Sequence, residues 1–557
     1  MSDRDPDAPP DRWTLGPAWA LLLAAVLWHG LHPVSDLDLW WHIRTGEQLM
    51  STGTLLVVDP FSHAFAEAPW PYKDAGFSLL AYGVWSVGGA PAIVIAKAAG
   101  FVVMIVLLWR LLRHARSLPP ALATVAVALA ADGSAYRFTE RAASLSLLIL
   151  VAVLVLIERD RQGRPGLWWA IGLTALNANL HRGAIVVPVV LSVYALTCFG
   201  EAMIRYESHA GARYKRNVLI AVAAAAACLA TPFTTALLAT SSHLMQAHTV
   251  VLSEWAPVSL PLVWALTPSS LLIGAAAVLG GLTLVLRVRP LPLWDLALVG
   301  MAFALGLASM RHLPYLTLLA IGPVARAVAP WTGWIRRVGG LLAIAVSAAV
   351  VASAARSPMA APALGLAPAH YPERGVAFVQ GLPPDARLRG NMFNEFGYGG
   401  YLIFHLWPEY RVFVDGRADL VYSAEHTEAA ASAPADPQVF AELAARHHVE
   451  WVILDNAPHA GARGHLDADS RWTLVHVSRR AAIYVRADGV NRALAAQHGY
   501  RWLWVHDLDG SIARAAAAGH GAEAISELQR MVDDDPDNVH AIAALARLGE
   551  RLGIETN

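Results

Sequence analysis

The strongest constraint in this sequence is a succession of apolar runs before Ala354. They lie near Trp13–Leu31, Ala75–Leu112, Pro119–Ala131, Ala143–Ile157, Leu167–Leu180, Ala184–Phe199, Val218–Ala230, Leu262–Leu286, Leu293–Leu307, Leu313–Val328 and Gly339–Ala354. A helix of ~20 apolar residues crosses a bilayer. Several runs are shorter than that, and Ala75–Leu112 is too long for one upright span. It reads as a surface helix before Gly88-Gly89 followed by a span. The expected fold class is therefore a polytopic α-helical membrane protein with about eleven transmembrane helices. The first run follows a short polar start holding Arg4 and Arg12. No small-x-small cleavage site follows it and many spans do, so it reads as a retained helix rather than a signal peptide.

Composition agrees. Of 557 residues, 56 % are hydrophobic and only 15 % charged, against about 25 % charged in soluble domains. That argues against a soluble cytosolic enzyme and a disordered tail protein. The balance of 42 basic to 43 acidic residues provides no polycation for a phosphate backbone, so no nucleic-acid partner is expected. Cys198 and Cys228 are the only cysteines. They exclude a disulfide framework and a cysteine metal site, and read as small buried apolar residues.

Basic residues orient the spans. With the N-terminus in the cytoplasm, the cytoplasmic loops hold Arg110/Arg113/Arg116, Arg159/Arg161/Arg164, Arg205/Arg213/Lys215/Arg216, Arg287/Arg289 and Arg326/Arg336/Arg337. The opposite loops hold only Arg44, Lys73, Arg137, Arg141, Arg182 and Arg311. Positive charge favours the cytoplasmic side, so the bias supports this topology. The outer side then collects Asp36, Asp38, His42, Asp59, Lys73, Asp74, Arg137, Glu140, Arg141, Asn179, His181, Arg182, Glu254, Arg311 and His312. Many sit at the ends of apolar helices. Each alone reads as a snorkelling or capping group, but ionisable groups grouped at membrane depth point to function.

The expected organisation is a transmembrane domain over 1–355, a linker over 356–370, an extracytoplasmic α/β domain over 371–488 and a helical tail over 491–557. In the α/β domain, Val412–Val414, Trp451–Leu454, Trp472–Val477 and Ala482–Val485 read as strands, and Tyr401–Leu406 and Pro437–Arg446 as helices. Gly397-Tyr398-Gly399-Gly400 lacks both the Walker spacing and the dinucleotide fingerprint, so it is a weak nucleotide signal. Asp415-Gly416 reads as a turn after a strand. In the tail, Ala524, Leu528, Met531 and Pro536 have the spacing of a tetratricopeptide helix, with Leu545 and Ala546 continuing in register. That resembles about one and a half repeats and suggests a protein partner there; a plain helical hairpin is the competing reading.

The first outer loop carries the most chemistry. It reads Asp36-Leu37-Asp38-Leu39-Trp40-Trp41-His42, then Gly46-Glu47, Gly53, Asp59-Pro60-Phe61-Ser62 and Trp70-Pro71-Tyr72-Lys73-Asp74. An acidic pair sits at the outer end of the first helix, followed by two tryptophans suited to a membrane interface. A carboxylate fixed at a helix end can act as general base toward an acceptor hydroxyl, phosphate or amine. In an extended segment Asp36 and Asp38 face the same side, where they could share a divalent cation (magnesium or manganese) or raise one another's pKa.

On these residues the loop resembles the first external loop of GT-C membrane glycosyltransferases, such as protein O-mannosyltransferases and lipid A aminoarabinose transferases. Asp38 falls on the family aspartate, His42 near the aromatic, Gly53 on the glycine that ends an amphipathic helix, Pro60 on the single proline and Lys73-Asp74 on the Lys-Pro-Pro-like element. Leu39 stands where a second acid is expected, with Asp36 upstream. Asp74-Ala75 replaces the two prolines. The resemblance covers about 40 residues. It implies an inverting transferase that uses a polyprenyl-phosphate-linked sugar on the non-cytoplasmic face. The compact loops and composition suggest a bacterial inner membrane, with an envelope glycan, lipid or protein as acceptor.

Within that reading, Asp38 and Asp36 are the catalytic candidates. His42, Lys73, Asp74, Arg137, Arg141, His181, Arg182, Glu254, Arg311 and His312 are candidates for binding donor phosphate and substrate. Arginine suits a lipid phosphate because guanidinium forms bidentate, charge-assisted bonds. Two other classes remain open. An envelope scaffold protein would bind partners through the outer domain and tail. A transporter would place charge at mid-span and show internal repeats; no repeat is visible, and Lys97 is the main mid-span charge.

Overall fold

A computed structural model describes residues 12–70, 72, 74–115, 118–205, 210–232, 234, 257–328, 332–356, 361–457 and 464–552. Lys73 and Glu254 lie outside them. The chain divides into two compact units: Met1–Asp36 with Tyr72–Leu366, and Leu37–Pro71 with Ala367–Asn557.

The first unit is helical. The run at Trp13–Leu31 is helix Arg12–Gly30, and those that follow are helices Ala75–Arg110, Pro120–Ala135, Ala142–Arg161, Trp169–Leu180, Val186–Arg205 and Ala210–Ala227. The expected Leu262–Leu286 run is two helices, Leu260–Leu266 and Pro268–Arg287, because Thr267 leaves helical geometry just before Pro268. Helices Leu293–Gly306, Leu313–Val328 and Thr332–Arg356 complete the unit. Among the described residues, five stretches are long and apolar enough to cross a membrane: Ala75–Arg113, Ala142–Arg161, Arg182–Ile204, Pro268–Arg287 and Val338–Arg356. Leu15–Gly30, Pro120–Ala135 and Leu293–Gly306 are apolar but shorter. The break expected in the long run is present: Gly88 and Gly89 are non-helical, and Gly89 has φ 60°.

Small residues let these helices approach closely, as membrane bundles require. A Cβ on Gly30 would lie 2.8 Å from the Ala98 Cα, and one on Gly306 would lie 2.7 Å from the Leu316 backbone nitrogen.

The second unit is built on a four-stranded sheet in the order β1-β2-β4-β3, with β1 Asn391–Asn394, β2 Val449–Leu454, β3 Trp472–Val477 and β4 Ala482–Arg486. β1 runs parallel to β2; β4 is antiparallel to both β2 and β3. Trp451 pairs with Val485 and Leu454 with Ala482. Three of the four expected strands are therefore present. Val412–Val414 is not a strand of this sheet. The Asn394 amide takes its place there: Asn394 Nδ2 donates to the Val414 carbonyl at 2.8 Å, and the Phe413 N–H donates to Asn394 Oδ1 at 2.8 Å. One side chain satisfies backbone groups that a ladder would otherwise pair. β1, a polar Asn-Met-Phe-Asn stretch, gives little strand signal in sequence.

The tail forms helices Arg492–His498, Leu508–Ala517, Gly521–Asp534 and Val539–Leu552. Ala524, Leu528, Met531 and Leu545 are buried. Ala546 is exposed, and Ala544 is the buried neighbour instead. Glu527 accepts from the N–H groups of Arg501, Trp502 and Leu503, which ties the tail to the preceding turn. A cleft of about 1050 Å³ lies among β3, the tail helices and the Trp504–Asp509 turn. Its charges are engaged with partners: Arg480 with Asp455, His506 with Asp467 and Arg547 with Asp509.

Candidate functional site

The loop after the first helix belongs to the second unit from Leu37 onward. Its amphipathic helix is Leu39–Thr52, with Asp38 at the N-cap position. Gly53 ends it at φ 67°, donating its N–H to the Leu49 carbonyl at 2.9 Å. Glycine adopts this left-handed geometry without a Cβ penalty. The helix and its glycine stop are thus where the loop pattern places them. Asp38 itself is in the right-handed helical region (φ −84°, ψ −23°). The extended-segment geometry expected for the acidic pair therefore fails at Asp38.

Trp40 and Trp41 are not interface anchors. Both are buried. Trp40 sits edge-on to Tyr371 and Tyr401, with centroids 5.2 and 4.9 Å away. Trp41 stacks on His42 at 3.6 Å and meets Trp70 edge-on at 6.0 Å. The tryptophans serve as core aromatics that seat the loop helix on helix Gly399–Leu406. Close packing also explains the Gly397–Gly400 cluster. A Cβ on Gly400 would lie 2.4 Å from the Leu37 carbonyl, and one on Gly399 would lie 2.2 Å from the Val414 carbonyl. These glycines admit neighbouring backbone.

The loop is locked further along by a buried ion cluster that sequence reading missed. Arg417, Asp59 and Asp415 are fully buried. Arg417 Nη1 donates to Asp59 Oδ1 at 2.5 Å; Nη2 and Nε donate to Asp415 Oδ2 and Oδ1 at 2.6 and 2.8 Å. The Tyr422 hydroxyl donates to Asp415 Oδ2 at 2.5 Å, and its pKa is pushed far above the usual range, first by burial and then by the Asp415 charge. Asp59 also accepts from the N–H groups of Phe61 and Ser62. The guanidinium lies 4.7 Å from the Trp70 ring centroid and 5.2 Å from that of Phe61. Asp59 and Asp415-Gly416 were visible as a polar loop residue and a turn. The Asp59–Arg417 pair spans 358 positions of the chain.

In the first unit, Asp36 is buried and accepts from Arg141 Nε. Lys97 is not an isolated mid-span charge. Its Nζ lies 2.6 Å from Glu140 Oε1 and donates to the His32 carbonyl at 2.8 Å, with both partners of the ion pair almost wholly buried. Asp74 is buried at the N-cap of helix Ala75–Arg110. Arg137 follows helix Pro120–Ala135 in the link that carries Glu140 and Arg141.

The Asn179–Gly183 corner is tight. His181 Nδ1 accepts from the Gly183 N–H at 3.1 Å and lies 3.0 Å from Ser146 Oγ. Arg182 opens a short turn, and its Nη1 is buried with no hydrogen-bond partner among the described residues. Arg311 and His312 share one turn, Met310–His312, where Ser309 Oγ meets His312 Nδ1 at 2.9 Å.

Asp36 already holds a guanidinium. Among the described residues no group of three or more His, Cys, Asp or Glu side chains is arranged to hold an ion.

No family profile and no curated protein matches the chain. Solved structures do. The Archaeoglobus fulgidus oligosaccharyltransferase tethered to an acceptor peptide containing an NVT sequon matches with TM-score 0.55 and 13 % identity, covering 80 % of this chain and 69 % of that one. The oligosaccharyltransferase AglB from the same organism, in complex with an inhibitory peptide and a dolichol-phosphate, matches with TM-score 0.53 and 12 % identity over the same shares. ArnT from Cupriavidus metallidurans bound to undecaprenyl phosphate matches with TM-score 0.50 and 12 % identity, covering 85 % of this chain and 97 % of that one. The chain shares the fold of these structures, the GT-C fold.

Proposed function

We propose that the protein is a membrane glycosyltransferase that moves a sugar from a polyprenyl-phosphate-linked donor to an envelope acceptor on the extracytoplasmic face. The observation that carries this reading is the GT-C fold shared with enzymes solved with dolichol-phosphate and undecaprenyl phosphate, together with an aspartate at the head of the amphipathic loop helix.

In this mechanism the acceptor oxygen or nitrogen attacks the anomeric carbon of the donor. Asp38 accepts the acceptor's proton. The bond from anomeric carbon to phosphate oxygen breaks, its electron pair leaves with the polyprenyl phosphate, and configuration inverts. Asp36, held by Arg141, supplies the second carboxylate of the pair. Arg137, Arg182 and Arg311 hold the leaving phosphate, where bidentate guanidinium bonds strengthen as charge develops. The buried Arg182 Nη1, with no hydrogen-bond partner among the described residues, supports that role. His42, Lys73, Asp74, His181, Glu254 and His312 are the remaining substrate-binding candidates. About eleven spans, a cytoplasmic N-terminus and an extracytoplasmic α/β domain complete the proposal, and positive-inside charge supports them.

The test is transfer of radiolabelled sugar from a panel of polyprenyl-phosphate donors by the purified full chain. Label reaching an acceptor, or released from lipid, supports the reading. No turnover and no donor binding across the panel overturns it in favour of a scaffold.

A further inference from the structure

We infer that Gly416 is a positioning residue for the Asp38 carboxylate. The inference rests on the proposed role of Asp38 as general base. A Cβ built on Gly416 would lie 2.0 Å from Asp38 Oδ1 and 3.2 Å from its Cγ, with no other atom as close. Gly416 does not have positive φ, so its backbone places no demand for glycine. Space alone makes that demand, and the side chain claiming the space is Asp38.

The floor beneath that carboxylate is rigid. Gly416 lies between Asp415 and Arg417, whose side chains form the buried bidentate pair and whose backbone closes a turn, the Arg417 N–H donating to Asp415 Oδ1 at 2.9 Å. Arg417 reaches Asp59 on the same loop segment that carries Asp38. The residue before Asp38 is seated on a second side-chain-free surface. The Leu37 carbonyl is 2.4 Å from a Cβ on Gly400, and Leu37 Cδ1 is 3.3 Å from one on Gly397. Leu37 and Asp38 thus rest on three glycines contributed by two segments of the same unit. A base must be held within a few tenths of an ångström of its working place to be effective.

The two kinds of glycine respond differently to a methyl group. On Gly399 or Gly400 it meets backbone carbonyls, and the fold has to shift. On Gly416 it meets the far end of a rotatable side chain. Gly416→Ala therefore moves the Asp38 carboxylate while leaving the unit assembled.

The experiment compares wild type, Gly416→Ala, Asp38→Asn and the double variant as full chains, measuring kcat and KM for transfer from a polyprenyl-phosphate sugar and the unfolding temperature. Gly416→Ala is expected to lower kcat by ~10-fold or more with KM within about twofold, and to add no more than about twofold in the Asp38→Asn background, because residues acting as a unit are non-additive. An equal loss in both backgrounds overturns the positioning role, as does wild-type kcat in Gly416→Ala beside a slow Asp38→Asn. Wild-type transfer by Asp38→Asn overturns the base reading itself, which separates the two failures. Should Gly416→Ala lower the unfolding temperature, Asp38→Ala in the same chain has to restore it; a temperature that stays low overturns the contact as the cause.

Discussion

Arg417 Nη1 lies 2.5 Å from Asp59 Oδ1, an ion pair between fully buried side chains 358 positions apart in the chain. It fastens the loop after the first helix to the α/β domain, and it makes the loop's position depend on a residue far downstream. Removing one partner of a buried pair costs about 3–5 kcal/mol, because the other charge is left unpaired in a dry site. Arg417→Leu leaves Asp59 and Asp415 facing each other's surroundings without a cation. The expected outcome is loss of the folded second unit or a fall of many degrees in its unfolding temperature, read by tryptophan fluorescence in detergent. Arg417→Lys keeps charge but not the bidentate geometry, so it should fall between wild type and Arg417→Leu.

The Lys97–Glu140 pair obeys the same rule in the helical unit. Lys97→Met alone strands a carboxylate among helices and should sharply reduce thermal stability in detergent. Lys97→Met with Glu140→Gln removes both charges and should recover most of the loss. Equal stability of the single and double variants would show that the pair is not coupled.

Asp36 and Arg141 should behave as one element of the site. Asp36→Asn and Arg141→Ala are each expected to lower transfer by ~10–100-fold. The double variant should be no worse than the slower single one by more than about twofold. Multiplied losses would mean that the two residues act separately.

Acid should destabilise the second unit through its buried histidines. Burial lowers the pKa of His63 and of His426 to about 4, and their rings keep an N–H on backbone carbonyls, His63 Nε2 at 2.8 Å from Met392 O and His426 Nε2 at 3.2 Å from Phe413 O. In the unfolded chain each titrates near 6.5. Between pH 6.5 and about 4 the unfolded state binds protons that the folded state refuses. Stability is therefore full above pH 6.5, falls as pH drops, and the loss is complete below about 4. Each ring contributes ~1–3 kcal/mol to that loss, the lower figure allowing for partial solvent access. Urea unfolding followed across this range checks it, and His426→Phe should flatten the slope.

Much of the architecture was legible because its signals are long and repetitive. Every apolar run chosen from sequence is helical, and the Gly88-Gly89 break falls where the run was too long. The Gly53 stop was legible because left-handed backbone favours glycine. Other features escaped because they depend on tertiary neighbours. Val412–Val414 has strand composition, yet the Asn394 amide bonds Phe413 and Val414, while Val412 makes only an isolated parallel bridge to Ser62. Trp40 and Trp41 have the composition of an interface belt, yet aromatic rings of helix Gly399–Leu406 and Trp70 cover them. Arg417 stands in a stretch that reads as a turn, and nothing local marks it as the centre of a buried cluster. The candidate residues at the helix ends were legible individually. Asp36 with Arg141, and Lys97 with Glu140, became pairs only when the helices packed.

The most direct test of the account is the Asp38→Asn variant. Purified wild-type and Asp38→Asn proteins are compared for transfer of radiolabelled sugar from polyprenyl phosphate to an acceptor, with insertion and unfolding temperature matched. The account predicts transfer by wild type and a loss of ~100-fold or more in the variant, as removal of a general base requires. Transfer by Asp38→Asn at the wild-type rate would contradict it.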